Sequence, residues 1–370
     1  MYDIGIDVRM LRHTGIGTYL KGLLRELPNQ NEISKKQIAL FGPAQAGRVG
    51  EIYQSIHFSA PIYSIREQIT YPGLVKQCRL WHAPHYNCPI RKGKSKLVVT
   101  IHDIIHWIYR DPWKSPFKAV YAEQMNRRAV KCADHIIAVS AYTRDDLIRH
   151  FGAHKERISV VHEAVDEFYQ KNALPESDRA RILLKLGVNA PYFLYVGLIK
   201  PHKNVLALVN AVKKLRRQNQ TKSAVVVVGK KDSAYAAKHQ ELMAIKTDND
   251  LVYLPYVTKE QLSALYAGAV ALVHPSYYEG FGLTLLEAMA CGTPVLASNR
   301  ASIPEIAGNA AHYFNPLDET ALLPALIAIE NDESLRAQLI DNGKKRLHEF
   351  SWQKTARQTS EIYNRVLEGL

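Results

Sequence analysis

The sequence predicts an α/β protein of two facing Rossmann-like domains, each a doubly wound parallel sheet, with a C-terminal helical segment. Three observations carry that prediction. Short β-rich runs alternate with helical patterns along almost the whole chain. Several runs, LVVTI (97–101) and HIIAVS (135–140) among them, are apolar continuously rather than alternately, as strands covered on both faces must be. The alternation also restarts after a polar stretch, 169–179, that contains Pro175. A chain of 370 residues exceeds one ordinary core, and two domains of roughly 150–200 residues each is the natural division.

In the first half, strands are expected at 4–8, 37–41, 80–83, 97–102, 135–139 and 158–162, with helices at 16–27, 115–133 and 141–150. In the second half, strands are expected at 192–196, 224–228, 251–254, 270–274 and 294–297. Helices are expected there at 204–217, 234–245, 259–267 and 283–291. The domains then run 1–170 and 171–350, and a terminal helix, 351–370, is expected to pack back toward the first domain. No internal repeat or low-complexity segment interrupts the pattern.

Composition narrows the class. Hydrophobic residues make up 47% of the chain and charged residues 22%, the proportions of an ordinary globular protein. No apolar run approaches the ~18–20 residues of a membrane span. Asp3 and Asp7 interrupt the first apolar stretch, which is wrong for a signal peptide. Cys78, Cys88, Cys132 and Cys291 are scattered without metal-like spacing, so a reducing cytoplasm is expected. Net charge is +13, of which +8 falls in residues 1–170 and +5 in the rest. Nucleic acid, an anionic membrane surface or a phosphorylated substrate would each suit that excess, and so would mere solubility.

In a doubly wound sheet, ligands bind beyond the carboxyl ends of the strands. Four segments meet that test. The first is HPSYYEGFGLTLLEAMACGTPVLAS (274–298), where a buried strand ends at His274 and a loop carries Glu279, Gly280, Phe281 and Gly282. A helix begins at Leu283 and Thr284 and carries Glu287. Gly280 and Gly282 let the backbone approach a ligand, and the uncovered N–H groups of the helix start favour phosphate. Carboxylates on either side of a phosphate site describe a ligand with hydroxyl groups at both ends, which is a sugar nucleotide. A simple βα turn with two solvated glutamates is the plain alternative.

These residues closely resemble the retaining glycosyltransferases of family 4, which have the GT-B fold and the hallmark E-x7-E. Glu279 and Glu287 fill that hallmark within EGFGLTLLEAMACGTPV, and the resemblance covers nearly the whole chain. It implies that Glu279 contacts the transferred sugar and Glu287 the donor ribose, with the amides of Phe281, Gly282 and Leu283 along the sugar and diphosphate. Glycosidases also pair carboxylates, but across one scissile bond rather than along one donor.

The second segment, FLYVGLIKPHKN (193–204), is a strand, Gly197, a basic loop and a helix. Lys200 and Lys203 sit where a leaving diphosphate needs countercharge. Lys203 matches the family lysine, but Leu198 stands where many members carry arginine, which leaves the second cation to Lys200, to His202 or to backbone amides. The third, TGIGTY, places Gly15 and Gly17 after the first strand, near donor phosphates or acceptor by resemblance, or else in a plain turn. The fourth ends the strand 97–102 with His102 and Asp103, the histidine near the transferred sugar by resemblance. His85 in HAPHY and Asp103 are candidates for the acceptor side. Ser140 and Asp166 read as structural.

The resemblance implies a metal-independent retaining hexosyltransferase with no cofactor beyond its nucleotide diphosphate-sugar substrate. VGLIKPHKN, SYYEGFGLTLLEAMACGTPV and SNRASIPEIAG look most like mannosyltransferases that use GDP-mannose, the alternatives being the same reaction with a UDP-sugar or a non-catalytic sugar-nucleotide-binding protein. The acceptor would be a glycan or a lipid-diphosphate-linked glycan, in polysaccharide or O-antigen assembly at the inner membrane face. Nucleic acid is not expected as a partner, since the Glu279/Glu287 pairing argues against it. The aromatic and basic run 110–131 suits either an anionic surface or an ordinary solvated helix.

Overall fold

The computed structural model describes residues 1–43, 52–109, 116–171, 174–189, 191–231, 235–245 and 250–369. Two compact units result: Met1–Ala164 with Phe350–Leu370, and Val165–Glu349.

Among the described residues, the first unit holds seven parallel strands: β1 Tyr2–Asp7, β2 Ile38–Gly42, β3 Gln54–His57, β4 Cys78–Ala83, β5 Lys96–Ile101, β6 His135–Ala138 and β7 Ile158–Val160. Their order is β3-β2-β1-β4-β5-β6-β7. The order reverses between β1 and β4, so the crevice of this sheet opens beyond Asp7 and Ala83. The helix Gly15–Glu26 buries Tyr19, Leu20, Leu23 and Leu24 on one stripe, as its 3.6-residue spacing requires. Ser140 caps the helix Ala141–Phe151 by accepting from the Thr143 N–H at 3.0 Å. Gly152 ends that helix at φ +66°.

The last helix, Trp352–Glu368, belongs to this unit. Gly22 is glycine because an added Cβ would lie 2.1 Å from the Trp352 ring. Thr355 Oγ1 donates to the His162 carbonyl at 2.7 Å, and Tyr363 Oη lies 2.5 Å from His82 Nδ1, both groups buried.

The second unit's strands are β8 Tyr192–Val196, β9 Ala224–Val228, β10 Leu251–Leu254, β11 Ala271–His274, β12 Val295–Ser298 and β13 Ala311–Phe314. They are parallel in the order β10-β9-β8-β11-β12-β13 and reverse between β8 and β11. All five residues of β9, AVVVV, are buried, which accounts for their unbroken apolar character. Phe193, Tyr195, Val225, Val227 and Val273 pack with Leu208, Val212 and Leu326 in the core.

Several expectations need correction. The stretch 169–179 is not an open linker: the helices Glu167–Lys171 and Glu176–Lys185 occupy most of its described part. The chain passes from one unit to the other at Ala164/Val165, not at 170/171. Two strands were not anticipated. β3 has only Ile56 half-buried among exposed neighbours, so it lacks an apolar signal, and β13 is AHYF, short and partly polar. The helix Ile65–Val75 was hidden by Pro72 and Gly73, which fall near its C-terminal end. Of the run 110–131, residues 110–115 lie outside the described residues, and the helix Pro116–Cys132 follows.

Candidate functional site

The loops that leave β8 and β11 flank the second unit's reversal point. They are joined by a hydrogen bond from the Tyr277 N–H to the His202 carbonyl at 2.8 Å. Gly229, just past β9, presses on the same place: a Cβ there would lie 1.8 Å from the Gly197 carbonyl oxygen.

Glu279 is 9% exposed and is held on every side. Lys203 Nζ donates to both of its oxygens at 2.6 Å, Ser276 Oγ donates to Oε1 at 2.8 Å, and His274 Nε2 lies 3.0 Å from the same oxygen. Burial opposes ionisation of Glu279, but the Lys203 ammonium and the His274 hydrogen bond outweigh it and hold the carboxyl well below the usual range. The other ring nitrogen of His274 lies 3.3 Å from Thr284 Oγ1. Ser302 Oγ lies 2.9 and 3.0 Å from the carbonyls of Glu279 and Phe281, which pins the backbone carrying Gly280.

The helix Leu283–Ala290 starts from Gly282 at φ +112°, with no side-chain cap and no acid in its first turn. Its opening amides and positive dipole end therefore favour an incoming anion. One turn on, Glu287 is half-buried and takes a hydrogen bond from the Tyr266 hydroxyl at 2.8 Å. Burial pushes its carboxyl up to about 7, with Asp166 adding to the rise and Tyr266 opposing it.

Glu279 and Glu287 share no hydrogen-bond partner, so they form two separate stations along one loop and helix. The sequence reading gave Lys203 to a diphosphate and Glu279 to a sugar. The structure joins the two in one ion pair. Lys200 is half-buried at the start of the same turn. Leu198 brings no charge there; its carbonyl accepts from the Tyr195 hydroxyl at 3.0 Å and from the Lys200 N–H at 3.0 Å.

In the first unit, both nitrogens of His102 are engaged. Nδ1 lies 2.8 Å from the buried Glu163 carboxylate and Nε2 lies 3.0 Å from the Pro84 carbonyl. Burial acts to lower its pKa, but Glu163 more than compensates and raises it. Asp103 Oδ1 accepts from the Ile105 N–H at 2.9 Å and so braces a local turn. Gly15 is exposed with open space around it, whereas Gly17 is buried and a Cβ there would lie 2.6 Å from the Leu11 carbonyl oxygen. Packing alone accounts for Gly17. His85 Nδ1 is buried without a hydrogen-bond partner, and burial drives that imidazole well below its ordinary pKa.

Residues 178–346 match the family model described as glycosyl transferases group 1, and residues 14–167 match that of glycosyltransferase family 4. The O-antigen chain mannosyltransferase B of Escherichia coli is 30% identical over 314 residues, which is 85% of this chain and 79% of that protein. This chain is a family 4 glycosyltransferase. A second relative of this glycosyltransferase is the O-antigen chain mannosyltransferase RfbU of Salmonella typhimurium. It is 30% identical over 66% of this chain and 63% of its own length. Among solved structures, Anabaena HepE in complex with UDP and glucose matches 100% of both chains at TM-score 0.76 and 18% identity, which establishes the shared GT-B fold.

Sequence reasoning about this glycosyltransferase missed His274, Ser276 and Ser302 around Glu279, Tyr266 beside Glu287, and Glu163 behind His102. His274 and Ser276 flank the loop's start in HPS, and a strand-ending polar pair was the available signal. Tyr266 and Glu163 lie far from their partners in sequence and gave none.

Proposed function

We propose that this glycosyltransferase moves mannose from GDP-mannose to a glycan or lipid-linked glycan of an O-antigen or related polysaccharide. The proposed reaction retains the anomeric configuration and uses no metal. The reading is carried by the Lys203–Glu279 ion pair at the uncapped start of the helix Leu283–Ala290. A donor diphosphate resting on those amides would compete with Glu279 for Lys203. As negative charge grows on the departing phosphate, Lys203 gains more from it than from the carboxylate, so the interaction strengthens toward the transition state. Glu279, released in part, then accepts hydroxyls of the transferred sugar, and Glu287 accepts those of the ribose.

Mannose is favoured by the two O-antigen mannosyltransferases that this chain resembles. The basic first half supports contact with an anionic membrane surface, and so do Ile65 and Ile69, 82% and 74% exposed one helical turn apart beside Arg66. No helix of the described residues is long and apolar enough to cross a membrane.

A thermal-shift and turnover screen with GDP-mannose, GDP-glucose, UDP-glucose and ADP-glucose, with and without EDTA, tests the reading. GDP-mannose should stabilise most and turn over, with EDTA making no difference. Stabilisation by UDP-glucose alone would remove the mannose assignment, and rescue of EDTA-treated protein by Mn²⁺ would remove the metal-free route.

A further inference from the structure

The turn after β12 meets the loop after β11, because the two parallel strands are neighbours in the sheet and release their chains at the same edge. Ser302 lies in that turn, fully buried, at the start of the helix Ile303–Ala307. A serine in this position ordinarily gives its oxygen to the first amides of its own helix. This one makes no such cap. Its hydroxyl lies instead 2.9 Å from the Glu279 carbonyl and 3.0 Å from the Phe281 carbonyl, so one proton serves two acceptors. The residue before it, Ala301, stands at φ +55°, a region that L residues rarely occupy. Strain of that kind persists only where the surroundings impose it. Here the Ile303 N–H on the Arg300 carbonyl and the Arg300 N–H on Ser298 Oγ, both at 3.2 Å, close the turn around it.

This turn acts on the far side of the loop it meets. The Glu279 carbonyl shares its peptide unit with the Gly280 N–H, and the Phe281 carbonyl shares its own with the Gly282 N–H. No peptide bond among the described residues is cis, and in a trans unit carbonyl and N–H point in opposite directions. Two carbonyls that converge on one buried hydroxyl therefore turn two N–H groups away from it, side by side. Gly282 leads directly into the uncapped helix Leu283–Ala290, whose first amides carry the same partial charge. A row of such amides makes a concavity for an anion. Glu279 is thus fixed twice, by its side chain to Lys203 and by its carbonyl to Ser302.

We infer that Ser302 is a positioning residue for the donor: its hydroxyl draws the Glu279 and Phe281 carbonyls inward and thereby aims the Gly280 and Gly282 N–H groups at the diphosphate. It touches no reacting atom and acts wholly through the loop backbone. The inference rests on the glycosyl-transfer reading and deepens it. It makes Ser302 responsible for the grip on phosphate and not for the grip on the nucleoside, which falls to Glu287.

The test compares the full-length native chain with Ser302→Ala. Affinities for GDP and UDP are measured by calorimetry, and those for guanosine and uridine by displacement of the diphosphate, with thermal midpoints recorded. Ser302→Ala should bind the preferred diphosphate about tenfold more weakly, and the matching nucleoside within about twofold of the native affinity. Should that variant fail to fold, Ser302→Cys, which keeps the volume but offers only a weak donor, replaces it with the same expectation. Unchanged diphosphate affinity overturns the inference. So does an equal loss of diphosphate and nucleoside, the result of a serine that merely supports the fold. Either outcome leaves the donor reading standing, because the native chain still binds its diphosphate. A native chain that binds neither diphosphate removes the donor reading and this inference together.

Discussion

Lys203 Nζ sits 2.6 Å from each oxygen of a carboxylate that is itself 9% exposed, so removing either partner does two things at once. Lys203→Ala deletes the cation proposed to meet the diphosphate and strands Glu279 as a buried charge. Turnover should fall at least tenfold, about 1.4 kcal/mol of barrier, and the thermal midpoint should fall with it. Adding Glu279→Gln to that variant should recover the midpoint but not the turnover. Recovery of both would reduce the pair to a structural contact. Glu287 offers a second residue-scale check. With its carboxyl pushed up from 4.5 to about 7, the folded chain keeps a proton that the unfolded chain has released across that interval. This residue's contribution to stability therefore declines as pH rises from about 4.5 to about 7. Ribose hydroxyls would favour the ionised form, so nucleotide affinity, measured by calorimetry, should rise between pH 6 and 8 in the native protein. Glu287→Gln should bind more weakly and lose that slope. His102 runs the same way at higher pH: Glu163 raises its pKa, so its contribution is complete below pH ~6.5 and is lost as pH climbs through the raised value. Glu163→Gln should lower the imidazole pKa in an NMR titration, and an unmoved value would remove Glu163 as the cause.

Elements show where sequence reading works and where it stops. β9 announced itself because a strand covered on both faces has little room for polar residues, and so did the apolar start of β11 before His274. The turn into the helix Leu283–Ala290 was equally legible, since Gly282 at φ +112° and the uncapped helix start both follow from local composition. β3 and β13 were not, because edge strands of four residues with partly polar faces carry no periodic signal. Nor were the partners of the two glutamates: what surrounds Glu279 and Glu287 depends on which loops the sheet order makes neighbours. Gly15 and Gly229 separate the two uses of glycine. Gly229→Ala drives a methyl into the Gly197 carbonyl and should lower the thermal midpoint sharply while displacing the turn that carries Lys203. Gly15→Ala meets nothing within 4 Å and should stabilise the helix by about 0.5–1 kcal/mol. If the Gly15 backbone approaches a ligand, the same variant will bind donor or acceptor less well while melting higher. Unchanged binding would make it a plain turn glycine.

At the scale of the whole molecule, net charge and local chemistry point in different directions. A chain of net charge +13 suggests phosphate everywhere, yet in the first unit the buried Arg9 is met by Asp7 and Glu67, and in the second unit Lys203 is already paired with Glu279. Charge summed over the sequence thus speaks to the surface the protein visits, and only buried pairings speak to what each site admits. Deleting 351–370 should unfold the first unit selectively, because Trp352, Ile362, Tyr363 and Val366 are buried there. Such a variant is expected to lose the higher-order signals of residues 1–164 while residues 165–349 keep protection from proteolysis. Equal loss in both units would show that they fold as one.

The return of Phe350–Leu370 to the first unit also bears on how the chain is made. Residues 165–349 form a continuous unit and are ready to fold as soon as they leave the ribosome. The unit that contains residues 1–164 must wait for the seventeen-residue helix Trp352–Glu368, so it is completed only after the unit that follows it in sequence. Until then Gly22 and Tyr19 lie beside an empty berth for Trp352, and a nascent chain arrested near residue 349 would present that apolar surface to chaperones.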